Sequence, residues 1–139
     1  MNRLDDYQYF HRIETRWMDN DVYGHVNNVV YYSYFDTTAN HYLIHKAGLD
    51  IHTADAVGFV VNSQCTYLAP IAYPGAVTVG LRVNTLGNKS VEYGLAIFDG
   101  DAQEACAYGT FTHVFVQRSS GQSVPIPDAI RDKLALISV

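Results

Sequence analysis

The chain has 139 residues, with nine Lys plus Arg against fourteen Asp plus Glu and a net charge of −5. That length suits one domain over residues 1–139 that folds without metal or disulfide staples, and 48% hydrophobic with 17% charged residues excludes a disordered, collagenous or low-complexity chain. The acidic balance speaks against a nucleic-acid partner, which would need a concentrated basic face.

The first twenty residues carry charges throughout and offer no apolar h-region, so no signal peptide is expected. No apolar run approaches the ~20 residues of a membrane-spanning helix, so no membrane partner and a cytoplasmic location are expected. Residues 7–17 mix aromatics, Ile13 and Thr15 with charges in rough alternation, the pattern of a half-exposed strand. A polar loop follows. Residues 27–46 contain no Gly or Pro, and their length predicts a helix, with Asn27 or Asn28 as N-cap, Lys46 in the last turn and Gly48 closing it. Val29, Val30, Tyr31, Tyr34, Phe35, Tyr42 and Leu43 do not reduce to one narrow stripe, which predicts a helix covered most of the way round.

Four stretches rich in Val, Tyr, Phe and Thr come next, at residues 59–68, 76–86, 90–98 and 104–118, and each reads as a strand. They are separated by Pro70, Pro74-Gly75, Gly87-Asn88 and Asp99-Gly100-Asp101, and the last two separations predict hairpins within an antiparallel meander. Residues 126–137, with Pro127 and Asp128 near their start, read as a short surface helix. Cys65 and Cys106 are the only cysteines. Without a CxxC pair or a third thiol no zinc site is expected, and no metal or cofactor is called for. One strand, a long buried helix and four antiparallel strands make an α+β fold. Because a flat sheet covers only one side of a helix, a curved sheet and a second subunit are both expected.

Residues 18–32, MDNDVYGHVNNVVYY, concentrate two aspartates, a glycine, a histidine and two asparagines where the strand gives way to the helix. Such a composition also describes an ordinary turn with a cap. A helix start, however, presents N–H groups without internal partners at the positive end of the dipole, and these can polarise a carbonyl oxygen. If Gly24 lets a ligand's carbonyl approach the N–H groups near Asn27 and Asn28, a carboxylate such as Asp21 could attack it or activate water.

The run Asp19 to Asn28, D-N-D-V-Y-G-H-V-N-N, with Tyr31 and Tyr32 after it, resembles the signature of the 4-hydroxybenzoyl-CoA thioesterase family of hot-dog-fold proteins. The likeness extends to Tyr67-Leu68-Ala69-Pro70 and to the Gly-Asn-Lys-Ser turn at residues 87–90. It implies a long central helix wrapped by a curved antiparallel sheet of about five strands, a homodimer or homotetramer, and hydrolysis of acyl-CoA thioesters at the dimer interface. By the same resemblance Asp21 is the catalytic nucleophile or general base, Gly24 and the Asn28 amide polarise the thioester carbonyl, and His25 orients water or the carboxylate. Asp36 within the helix is a second acid or a structurally paired one. Arg82, Lys89 and Ser90, with Arg118 behind them, are candidates for holding the anionic coenzyme. Two other functions fit a hot-dog fold: an acyl-thioester hydratase or dehydratase, and a non-catalytic acyl-binding module.

Overall fold

The computed structural model describes residues 2–139. Its elements are β1 (Tyr9–Glu14), α1 (Asn28–His45), β2 (Ala56–Tyr67), β3 (Ala76–Leu86), β4 (Ser90–Asp99), β5 (Ala107–Gln117) and α2 (Asp128–Ala135), with 3-10 turns at Leu4–Asp6 and Trp17–Asp19. The strands form one antiparallel sheet in the order β1-β3-β4-β5-β2. β3, β4 and β5 are consecutive neighbours, with a short turn only between β3 and β4. β1 and β2 take opposite edges, and α1 carries the chain from one edge to the other across a single face. This is the expected hot-dog arrangement of a long helix held in a curved five-stranded sheet.

Alternation along the central strands sets which face that is. Val77, Val79, Leu81 and Val83 on β3 and Val91, Tyr93, Leu95 and Ile97 on β4 are all buried, each two residues from the next. They meet Tyr31, Tyr34, Phe35, Thr38, Ala39, Tyr42 and Leu43 of α1, a stripe at three- and four-residue spacing. α2 closes the open end with Ile130 and Leu134, while the Tyr42 hydroxyl donates to the Lys133 carbonyl and an Arg131 amino group to the Gly87 and Asn88 carbonyls. No helix among the described residues is long and apolar enough to cross a membrane.

The helix expected to be covered on nearly every side is covered on one. Val29, Ser33, Asp36 and Thr37 remain exposed, because one sheet reaches only half of the helix surface. The strand predicted at 104–118 starts at Ala107 instead, and residues 100–106 replace the expected tight hairpin. The Leu4 N–H bonds to the Gln103 carbonyl and Arg3 pairs with Glu104, so the N-terminal segment holds this connection together with β4, whose Asp99 and Ile97 carbonyls take the Ala102 and Cys106 N–H groups. β2 begins at Ala56 and forms a long outer edge on which Phe59, Val60, Val61 and Tyr67 are exposed.

One core group titrates. His113 on β5 is 1% exposed among Tyr93, Phe111 and Phe115, with its Nδ1 3.1 Å from the Tyr93 hydroxyl, and burial pushes its pKa down to about 4. His11 and His41, stacked at 3.9 Å, are likewise held below the usual value, by burial first and then by neighbouring imidazoles. With native values depressed, the unfolded chain binds more protons, so stability present above pH 6.5 falls as pH drops toward 4. For His113 a depression from 6.5 to about 4 corresponds to about 3 kcal/mol. Denaturant titrations between pH 7 and pH 4 are expected to show this loss, and His113→Gln to show a shallower pH slope; equal slopes would contradict the assignment.

Candidate active site

Between β1 and α1 the chain folds into a small hairpin around a buried acid. The Asp19 carboxylate, 1% exposed, accepts the Arg16 N–H at 2.9 Å, the Arg16 Nε at 3.0 Å and the Tyr34 hydroxyl at 2.8 Å. Burial alone would raise its pKa, but the Arg16 N–H, the Tyr34 hydroxyl and the guanidinium outweigh that and hold it below the usual carboxylate value. Its backbone carbonyl also accepts the Asn27 N–H at 2.8 Å, which aligns the hairpin with the start of α1. Beyond this pair, Asn20 bridges Val26, and the Asp21 N–H donates to the His25 carbonyl at 2.9 Å. Gly24, at φ +84°, turns the chain with its N–H on the Asp21 carbonyl at 3.1 Å.

The catalytic candidates from the sequence share this hairpin. Asp21 is partly exposed, and one carboxylate oxygen accepts the Tyr23 N–H at 2.9 Å. It sits two residues further along the hairpin than the Asp19–Asn27 pair, about 7 Å from it. Asn27 is the N-cap: its side chain takes the Val29 N–H at 3.1 Å and its carbonyl the Val30 N–H at 2.9 Å. The Asn28 N–H, by contrast, has no acceptor among the described residues, so it is the open donor at the positive end of the helix. His25 is exposed, and its carbonyl is the group that takes part in the hairpin. Trp17, Met18, Asn20, Asp21, Val22 and Gly24 line a hollow of about 660 Å³. Trp17 is 79% and Val22 95% exposed, so the walls of this hollow are apolar and uncovered.

The segment after β2 buttresses the hairpin. The Tyr67 hydroxyl donates to the Asn28 carbonyl at 2.9 Å, the Val26 N–H to the Ile71 carbonyl at 2.8 Å, and the Tyr73 N–H to the Asn20 side-chain oxygen at 3.0 Å. Both the N–H and the hydroxyl of Thr15 reach the Gly75 carbonyl at 3.0 Å. A second hollow, of about 490 Å³, lies between α1 and β2, bounded by Tyr32, Ser33, Asp36, Val60, Ser63 and Phe111. Asp36 accepts the Asn40 side-chain amide at 3.0 Å, and burial raises its pKa against that bond. Eight residues of helix separate it from Asn28, about 12 Å. The Ser63 hydroxyl is buried without a partner among the described residues.

The coenzyme candidates lie elsewhere in the same chain. Arg82 stands on the sheet face away from α1, its guanidinium 4.9 Å from the Tyr7 ring centre and bonded to the Asn84 side chain and the Asp6 carbonyl. Lys89 and Ser90 sit past the Leu86 end of β3, whereas the hairpin follows Glu14, which pairs with Ala76 at the other end, roughly 33 Å away. Arg118 pins the Ile51 and Ala54 carbonyls. Sequence reasoning missed Asp19 as the buried anchor and Tyr67 as a contact to the helix start. The two aspartates look alike in a D-N-D run, and a partner thirty-nine residues away leaves no local trace.

Residues 15–134 match the thioesterase-like superfamily. The PA5185 protein of Pseudomonas aeruginosa strain PAO1 is 53% identical and superposes with a TM-score of 0.95 over 96% of this chain and 94% of that one. The PA2801 protein of Pseudomonas aeruginosa, a proposed thioesterase, is 31% identical with a TM-score of 0.83 over 88% and 95% of the two chains. A 1,4-dihydroxy-2-naphthoyl-CoA thioesterase from Synechocystis, at 14% identity, shares the fold with a TM-score of 0.82 over 91% and 95%.

Asp19→Asn is expected to lower stability by about 2–3 kcal/mol in denaturant titrations, because the Arg16 N–H, the Arg16 guanidinium and the buried Tyr34 hydroxyl lose a charged acceptor, and Tyr34→Phe by about 1 kcal/mol. A neutral Asp19→Asn would contradict the anchoring role.

Proposed function

The chain belongs to the thioesterase-like superfamily, and from that premise we propose that it hydrolyses acyl-CoA thioesters to free acid and CoA as a member of the 4-hydroxybenzoyl-CoA thioesterase family. The observation that carries this reading is the unpartnered Asn28 N–H at the head of α1, on the same hairpin as Asp21. A thioester carbonyl resting on that N–H, with Gly24 leaving room for it, develops negative charge where the helix favours it. Asp21 supplies the other half. As a general base it removes a proton from water while the oxygen attacks the carbonyl carbon; the tetrahedral intermediate then collapses, and the departing CoA thiolate takes up a proton. As a nucleophile its oxygen bonds the acyl carbon, expels the thiolate and leaves an anhydride that water opens. His25, whose carbonyl takes the Asp21 N–H, is assigned the orienting of the water.

The acyl group extends from Asn28 along α1 into the hollow beside Asp36 and Ser63. The PA2801 protein supports thioester hydrolysis, and the dihydroxynaphthoyl-CoA enzyme supports CoA as the carrier and puts aromatic acyl groups on the panel to be screened. A second copy completes the site. The exposed β2 edge, with Phe59, Val60 and Val61, offers a twelve-residue strand for antiparallel pairing about a two-fold axis, giving a homodimer or a homotetramer of two such dimers. Antiparallel pairing brings the Ala56 end of the partner strand beside the Tyr67 end of this one. Because that end of the sheet also carries the β3–β4 turn, Lys89 and Ser90 of the partner subunit come to the end where Asp21 lies. That answers their separation within one chain.

Thiol release from short, long and aromatic acyl-CoA substrates tests the reading, with enoyl-CoA hydration and equilibrium binding run alongside. Asp21→Asn is expected to lower kcat by at least about 10²-fold with the fold and oligomer unchanged; full activity would refute the role of Asp21. Val60→Lys is expected to shift sedimentation toward the monomer and to reduce turnover with it, and an active monomer would refute the shared site.

A further inference from the structure

Tyr67 ends β2, the strand proposed as the interface between two copies, yet its side chain reaches the first residue of the helix that heads the proposed site. In α-helical geometry one lone pair of the Asn28 carbonyl is taken by the N–H four residues on. The Tyr67 hydroxyl takes the other, at 2.9 Å. The phenol ring is set by an edge-on contact with the ring of Tyr31, 4.9 Å between centres. Tyr31 in turn lies on the covered face of α1 and is buried, so the ring of Tyr67 rests against the core. Burial first, and then the neighbouring Cys65 and Tyr32, push the Tyr67 hydroxyl well above its ordinary pKa. The strand continues from there by donating the Leu68 and Ala69 N–H groups to the Cys106 carbonyl, at 2.7 and 3.0 Å, which ties this corner to β5.

Asn28 is held on one side and open on the other. Asn28 is anchored through its carbonyl by Tyr67, while its N–H points away unbonded. The hairpin preceding it is fixed separately, by the Asp19 and Ile71 carbonyls taking the N–H groups of Asn27 and Val26. We infer that Tyr67 is a positioning residue for the proposed hydrolysis: by holding the Asn28–Val29 peptide it fixes the Asn28 Cα and through it the adjoining Asn27–Asn28 peptide, whose N–H receives the thioester oxygen, and it couples that N–H to the β2 edge. The inference rests on the hydrolase reading for its kinetic consequence and on the geometry alone for its structural one.

Tyr67→Phe removes the hydroxyl and keeps the ring against Tyr31. In the full-length protein we expect kcat for acyl-CoA hydrolysis to fall about tenfold or more, with KM within about twofold of wild type and the thermal midpoint and oligomeric state unchanged, since a small misplacement of a transition-state donor acts on turnover. In the same variant the ¹⁵N order parameter of the Asn28 amide is expected to drop while those of the α1 interior stay fixed. A wild-type kcat, or a loss of kcat shared by KM and the thermal midpoint, overturns the kinetic claim. If the wild-type protein hydrolyses no thioester, the hydrolase reading fails, and the order parameter decides the positioning claim by itself: a drop upholds it and no change overturns it.

Discussion

A carboxylate removed from water must be surrounded by donors, and the way Asp19 meets that demand shapes the region between β1 and α1. Its donors come from the residue three before it and from the second turn of the helix, so satisfying one charge fixes the approach of the strand to the helix. The 3-10 turn, the hairpin and the helix cap follow in register because the Asp19 carbonyl also accepts the Asn27 N–H. Were the acid to leave, an arginine backbone N–H and a tyrosine hydroxyl would lack a charged acceptor, and the hairpin would lose the point from which it is measured.

The site inherits its character from that scaffold. An asparagine caps the second helical N–H and a 3-10 bond takes the third, which leaves the first as the open donor. The apolar side chains Trp17, Met18 and Val22 of the preceding hairpin and Val29 of the first helical turn are uncovered, as are Phe59 to Val61 along β2. This exposed apolar area is the surface proposed above for a second copy, along the free β2 edge. The central helix, half covered by its own sheet, fits the same picture: the uncovered half carries Asp36 and Ser33 beside the hollow proposed for the acyl group.

Much of the fold was legible because the relevant signals are local. Gly87-Asn88 between two alternating apolar runs specifies a hairpin, and an eighteen-residue stretch without Gly or Pro, capped by Asn27 and closed by Gly48 at φ +74°, specifies a helix. The boundary at Ala107 was not legible, because what ends the strand is the distant N-terminal segment bonding to Gln103 and Glu104. At the site, Asp21, Gly24, His25 and Asn28 were found together because they are neighbours in sequence. The split between two aspartates, one a buried anchor and one open to the hollow, depends on Tyr34 and Arg16 and is invisible in the D-N-D run. The separation of Arg82 from the hairpin is likewise a matter of sheet topology: on β3, even-numbered positions as far as the bulge after Val83 face away from α1, and sequence alone does not say which face holds the site.

The central claim is that a thioester carbonyl is polarised by the amide opening α1, and the bond itself reports on it. Difference Raman or isotope-edited infrared spectra of a ¹³C-labelled acyl-CoA bound to the Asp21→Asn protein would give the carbonyl stretch in the complex. The account predicts a shift to lower wavenumber relative to the free ligand, as a hydrogen bond and the helix field draw charge to the oxygen. A stretch unchanged on binding would contradict it.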